Sequence, residues 1–317
     1  MEARLMAKGL LSWVPGLHQA FAHHGSGTSS PSYCYGVWLK HLTLLWQAGM
    51  HHIPQSVVEL GPGASVGTGV AALLSGAHRY TGIDAVDFTS SKSNIEAFHG
   101  LELLFRNRAP RPSSGFPPYD QYLDERLFPS HILSPEVLAR ALENERVKGI
   151  HHAVRALGTD DPDPQLRYRT WAQPLSIPHG TVDLVFSHVV LNQVDDLDMV
   201  YANCSRWLGR GGWMSHHIDF TSLGTTSVWN GHRAYGEMAW KIACGRRPYF
   251  VNRAVLSDHL DCMKAHGFNV MEVHRGTLPG GLARHEHAPR WRACSDEDLA
   301  TRTAFVIVRK RPDSTTH

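Results

Sequence analysis

The chain has little net charge, few cysteines and no long apolar run, and each shortage removes a class of function. Over 317 residues the formal charge is only +2, and the longest basic run is Arg309-Lys310-Arg311. No extended surface would track a phosphate backbone, so nucleic acid is not an expected partner. The five cysteines, Cys34, Cys204, Cys244, Cys262 and Cys294, are odd in number and form no CxxC pair. This argues against a disulfide framework and a zinc knuckle, and a reducing cytoplasm is the expected location. No stretch approaches the ~20 apolar residues of a membrane span, so no membrane association is expected. The N-terminal patch Gly9-Leu10-Leu11-Ser12-Trp13-Val14 follows Glu2 and is broken by Pro15 and His18, against the pattern of a signal peptide. There are 22 histidines, including His285-Glu286-His287, but no HExxH spacing. No metal site is expected.

The chain does carry 42% apolar side chains, enough to build the full core of one large α/β domain with an appended part. Val57-Val58-Glu59-Leu60-Gly61-Pro62-Gly63-Ala64-Ser65-Val66-Gly67 reads as a buried strand ending in an acid, a glycine turn and the start of a helix. Glycine has no Cβ and tolerates positive φ, so such a turn brings bare backbone against a ligand. Asp84 follows at the end of a second apolar run, Tyr80-Thr81-Gly82-Ile83, where a carboxylate can accept both hydrogen bonds of a ribose diol. Turn, acid and spacing together describe a nucleoside site over the carboxyl ends of a Rossmann-like sheet. The plainer alternative is an α/β turn without ligand, its glycines serving the backbone and its acids capping helices.

The first 30 residues read as an amphipathic helix and a Gly25–Pro31 connector. A helix over Tyr33–Met50 has Val37, Trp38, Leu42, Leu45 and Trp46 on one stripe. Residues 1–50 are expected to form an N-terminal helical lid or a structural layer, and 51–317 the Rossmann-like domain. The stretch from about 88 to 165 is too long for an ordinary crossover. It is expected to be a helical insertion between the second and third strands that walls a substrate pocket. Strands are expected again at Leu166–Trp171, Val182–Ser187, Trp213–Ile218, Phe268–Val273 and Ala304–Arg309, with helices over Asp195–Leu208 and Ser257–His266. The expected sheet has five parallel strands and a terminal antiparallel pair.

With these motifs the chain resembles the class I S-adenosylmethionine-dependent methyltransferases. The resemblance rests on Glu59-Leu-Gly61-Pro-Gly63, Gly82-Ile-Asp84, Pro178-His-Gly-Thr-Val-Asp-Leu-Val-Phe-Ser187 and Trp207-Leu-Gly-Arg-Gly-Gly-Trp213. It implies that Gly61, Pro62 and Gly63 pass under the cofactor, Glu59 sits near its amino group, Asp84 takes the ribose hydroxyls, and Ser187 lies beside the methionine carboxylate or the sulfonium. Ser65 replaces the usual third glycine. A narrower likeness, to a bacterial subgroup of polysaccharide and secondary-metabolite gene clusters, rests on Tyr33-Cys-Tyr35-Gly-Val-Trp38, Pro129-Ser-His131-Ile-Leu and Trp229-Asn230-Gly-His232.

Many small-molecule members carry "V-L-E-H" after strand four, where this chain has Val190-Leu191-Asn192-Gln193. Amides orient polar groups but remove no proton, so Asn192 is an expected orienting residue unless it merely caps the next helix. At most one of His216 and His217 is expected to face the cleft, because neighbours on a strand alternate, and His216 is the candidate base. Tyr235, with Trp229, is placed to contact a sulfonium or else packs in the core, and Arg246, Arg247 and Arg253 are candidate anion contacts. Three functions fit: methyl transfer to a small polar metabolite or sugar, cyclisation of S-adenosylmethionine alone to azetidine-2-carboxylate with release of methylthioadenosine, and cofactor binding without turnover. A homodimer is an admissible assembly.

Overall fold

The computed structural model describes residues 3–14, 28, 30–112, 122–123, 126–159, 163–172, 177–247 and 250–312. Most of the Gly25–Pro31 connector lies outside them. The central element is a seven-stranded sheet: β1 (Ser56–Leu60), β2 (Arg79–Asp84), β3 (Leu166–Thr170), β4 (Val182–His188), β5 (Leu208–Asp219), β6 (Phe268–Thr277) and β7 (Thr301–Lys310). Their order across the sheet is β3-β2-β1-β4-β5-β7-β6. The first five strands are parallel, while β7 runs antiparallel between β5 and β6. This Rossmann-like sheet of five parallel strands with a terminal antiparallel pair matches the expected architecture.

Helices cover both faces, so the central strands are apolar on both sides. On β1, Val57 enters the core beneath α2 (Pro31–Gln47), α3 (Gly67–Leu74) and α4 (Ser91–Arg106), whereas Val58 and Leu60 enter the core on the opposite face. α5 (Pro135–Ala141) and α6 (Asn144–Ala156) extend the first layer, and α7 (Leu197–Trp207) packs in the second. The start of α7 is fixed by Asp196, whose carboxylate accepts from Met199 N–H at 2.8 Å.

The helix at 31–47 is an inner layer: its buried residues extend beyond the apolar stripe to Lys40 and His41. α1 (Ala3–Leu11) packs instead on α8 (Glu237–Cys244), with Leu5 in a small core beside Tyr235, Trp240, Ala243 and Val251. α9 (Leu256–Ala265) completes the second layer. Among the described residues no helix is long and apolar enough to cross a membrane.

Candidate functional site

A cavity of about 1290 Å³ lies over the carboxyl ends of the parallel strands. On its β1 and β2 side it is lined by Leu60, Gly61, Gly63, Ala64, Ile83, Asp84, Ala85 and Phe88, with Trp171 just beyond β3. Gly61 and Gly63 adopt φ of +71° and +73°, a region that glycine enters without a Cβ penalty. Gly61 is also constrained sterically, because a Cβ there would stand 2.4 Å from Val190 Cγ2. Asp84 closes the turn: Oδ2 accepts from Gly63 N–H at 3.0 Å and Oδ1 from Ala85 N–H at 2.7 Å. Burial raises its carboxyl above the ordinary range, and those two N–H groups work against the rise.

The β4, β5 and β7 side is built differently. His188 ends β4, and Val189 and Val190 follow it along the wall. Val189 has φ of +59°, an outlier for a β-branched residue, and its N–H is tied to His217 O at 2.8 Å. Leu223, at φ +48°, also lines the cavity. Strained backbone of this kind persists only where the surroundings hold it, and it gathers at functional sites. Thr221, Ser222, Thr226, Ser227, Trp229 and Arg302 form the polar part of this wall, while Thr28 and Tyr33 reach it from the N-terminal side.

His188 is the histidine among the described lining residues. Its Nδ1 lies 3.2 Å from His41 Nε2, and His41 Nδ1 lies 2.7 Å from Ser215 Oγ. Burial and then the charge of Lys40 hold His188 well below the ordinary histidine range, so it is neutral near pH 7.

Strand alternation decides the fate of several residues expected in the site. Gly61, Gly63 and Asp84 line the cavity. Glu59 shares the face of Val57: it is buried, accepts the Tyr80 hydroxyl at 2.5 Å, and burial pushes its carboxyl up to about 8. Pro62 packs behind the turn against Gly82. Ser187 is wholly buried and lies 2.8 Å from His216 Nδ1 on the opposite face, where His216 meets the Tyr201 ring and burial lowers it to about 3. These residues, including the candidate base His216, do not border the cavity.

The short 3-10 turn Leu191–Gln193 brings Leu191 and Gln193 to the wall and buries Asn192. Tyr235 lines a separate pocket of about 420 Å³ that shares Thr226 and Ser227 with the cavity, and its ring packs 5.9 Å from Trp240. Arg253 is structural: its guanidinium stacks 5.0 Å from Trp240 and 4.3 Å from Trp291 and bonds to Tyr235 O and Glu237. Arg246 lies over Trp13 and Arg247 over Phe250. At the start of the insertion Phe88 lines the cavity, whereas α4, α5 and α6 contribute no lining residue.

Gln193 was part of the amide pair read after strand four, but His188, Ser222 and Arg302 were not signalled by the sequence. The only available hint was proximity to a strand end. Arg302 becomes part of the wall because β7 returns antiparallel beside β5, with Asp219 paired to Thr303.

A family model described as "Methyltransferase domain" matches residues 133–215, which run from just before α5 into β5. No curated protein matches the chain. Solved structures similar to it include an S-adenosylmethionine-dependent methyltransferase from Mesorhizobium loti, at 14% identity over 86% of this chain and 98% of that one, with a TM-score of 0.41. One from Methanosarcina mazei is 10% identical over 85% and 98%, with a TM-score of 0.44. The geranyl diphosphate C-methyltransferase of Streptomyces coelicolor is 13% identical over 86% and 76%, with a TM-score of 0.41. Likenesses of this degree carry no weight for the chemistry.

Proposed function

We propose, from the premise that this chain is a class I methyltransferase-like enzyme with S-adenosylmethionine as its cofactor, that it transfers a methyl group to a small polar metabolite held in the 1290 Å³ cavity. The observation that carries this reading is the division of that cavity. One half has the bare glycine backbone and Asp84, and the other has a polar wall two to three strands away.

The residues of the first half fit the cofactor. Asp84 presents a carboxylate to a ribose diol, the backbone at Gly61 and Gly63 leaves room for close approach, and Phe88 and Trp171 offer apolar surface to a base. When bound, the cofactor supplies a methyl group on a cationic sulfur. The chain positions the acceptor in line with that methyl and excludes water, which are the main contributions in displacements of this kind. His188 faces the acceptor as a neutral ring that orients a polar group: it borders the cavity, and His41 fixes its Nδ1 side. We propose the bacterial polysaccharide and secondary-metabolite subgroup on the motif likeness alone; Tyr33 and Trp229 of those motifs both line the cavity.

The test is product identification. Purified protein is incubated with S-adenosylmethionine, alone and with pools of small polar metabolites. S-adenosylhomocysteine formed only with a pool supports the proposal. Methylthioadenosine formed without any metabolite would replace it with self-cyclisation, and an untouched cofactor in every pool would contradict turnover.

A further inference from the structure

Several residues on one wall of the large cavity each carry a buried polar side-chain atom with no hydrogen-bond partner among the described residues. These atoms include Ser222 Oγ, Trp229 Nε1 and Arg302 Nε. Such atoms are uncommon in folded proteins, and one beside an open cavity can take a partner from outside the chain. The chemistry of the three is one-sided: an indole N–H and a guanidinium only donate, and a serine hydroxyl can donate.

The loop that carries two of them is well ordered. Ser222 N–H donates to Trp229 O at 2.6 Å, Thr225 N–H donates to Ser222 O at 3.0 Å, and Thr221 N–H donates to Asp219 Oδ1 at 2.7 Å. Arg302 makes no ion pair among the described residues, whereas Arg253, Arg275 and Arg284 each have an acid within 2.8 Å. Asp219 influences Arg302 electrostatically without an ion-pair contact. Arg302 therefore lines the cavity without an ion pair to any described carboxylate.

Position assigns these donors to the acceptor. The order β1-β4-β5-β7 puts three strand spacings between the Gly61 turn and the start of β7, roughly 14 Å at ~4.8 Å per strand. We infer that the acceptor carries an oxyanion, a carboxylate or a phosphate, and that Arg302 binds it with support from the Ser222 hydroxyl and the Trp229 indole N–H. A bidentate Arg–oxyanion pair supplies geometric specificity as well as charge. The inference rests on the transferase reading for the word acceptor, but the anion site itself is measurable without it.

The experiment titrates malonate and, separately, inorganic phosphate into the protein by calorimetry, with and without saturating S-adenosylhomocysteine. It uses wild type, Arg302→Gln and Ser222→Ala. The expected result is saturable uptake of one probe by wild type, weakened about tenfold or more in Arg302→Gln and about threefold in Ser222→Ala. Affinity for S-adenosylhomocysteine should stay within about twofold in both variants. The better probe tells carboxylate from phosphate. If Arg302→Gln misfolds, Ser222→Ala and Arg302→Lys carry the test, and unchanged anion affinity in both overturns the site. Absence of anion uptake by wild type overturns it outright. An equal loss of S-adenosylhomocysteine affinity in Arg302→Gln would reassign the guanidinium to the cofactor's own carboxylate. Anion uptake without any S-adenosylhomocysteine uptake would sink the transferase reading and spare the site.

Discussion

Gly61→Ala tests whether the cofactor turn is shaped by close approach rather than by chance. Two costs follow from the structure. The alanine must hold φ near +71°, which costs about 1–2 kcal/mol for a residue with a Cβ. Its Cβ must also find room where Val190 Cγ2 and Cγ1 stand 2.4 and 2.6 Å away, an overpacking of about 1–3 kcal/mol. The sum is a destabilisation of about 2–5 kcal/mol. Val190→Ala alone removes two methyl groups from a half-buried side chain and should cost about 1 kcal/mol. In the double variant the steric cost disappears while the φ cost remains, so the two substitutions couple favourably by about 1–3 kcal/mol. Urea unfolding of the four proteins measures this cycle. Additivity within about 0.5 kcal/mol would refute the steric argument.

Other expectations concern the groups around the turn and the wall. Glu59 has a folded-state pKa raised to about 8, first by burial, so the folded chain holds a proton that the unfolded chain releases near the ordinary carboxyl value. Stability from this group is therefore lost as pH rises between about 4.5 and about 8, and Glu59→Gln should gain on wild type across that window in unfolding experiments; a constant difference would count against it. Tyr80→Phe removes the hydroxyl bonded to Glu59 and should cost about 1–3 kcal/mol, read by the same unfolding curves. Arg253→Met, losing two ring stacks and its bonds to Tyr235 O and Glu237, should cost about 2–4 kcal/mol without altering S-adenosylhomocysteine affinity. His188→Ala should lower kcat/KM by about tenfold with cofactor affinity kept, and unchanged kcat/KM would remove it as an orienting group for the acceptor.

The sheet was legible because its strands are local apolar runs bounded by glycine, proline and polar turns. Gly61, Gly63 and Asp84 were legible because a turn and a strand end are read within a few residues. The other half of the site is a matter of phase. A shift of one residue along a strand exchanges the two faces, so His188, not Ser187 or His216, reaches the cavity. Glu59 is buried against Tyr80 by the same alternation. In the 3-10 turn each residue rotates the side chain by about a third of a circle, which selects Gln193 over Asn192. Arg302 belongs to the site through the antiparallel return of β7, a tertiary fact that no local pattern encodes.

The most direct measurement is calorimetric titration of S-adenosylhomocysteine into wild type, Asp84→Asn and Asp84→Ala. The Asp84 carboxylate lines the cavity and is aligned by Gly63 and Ala85 N–H, so its removal should forfeit hydrogen bonds to a charged group and weaken binding about 10–100-fold. Saturable uptake by wild type with that loss in both variants is the predicted result. Absent uptake by wild type, or equal affinity in all three proteins, would contradict a nucleoside cofactor at this turn.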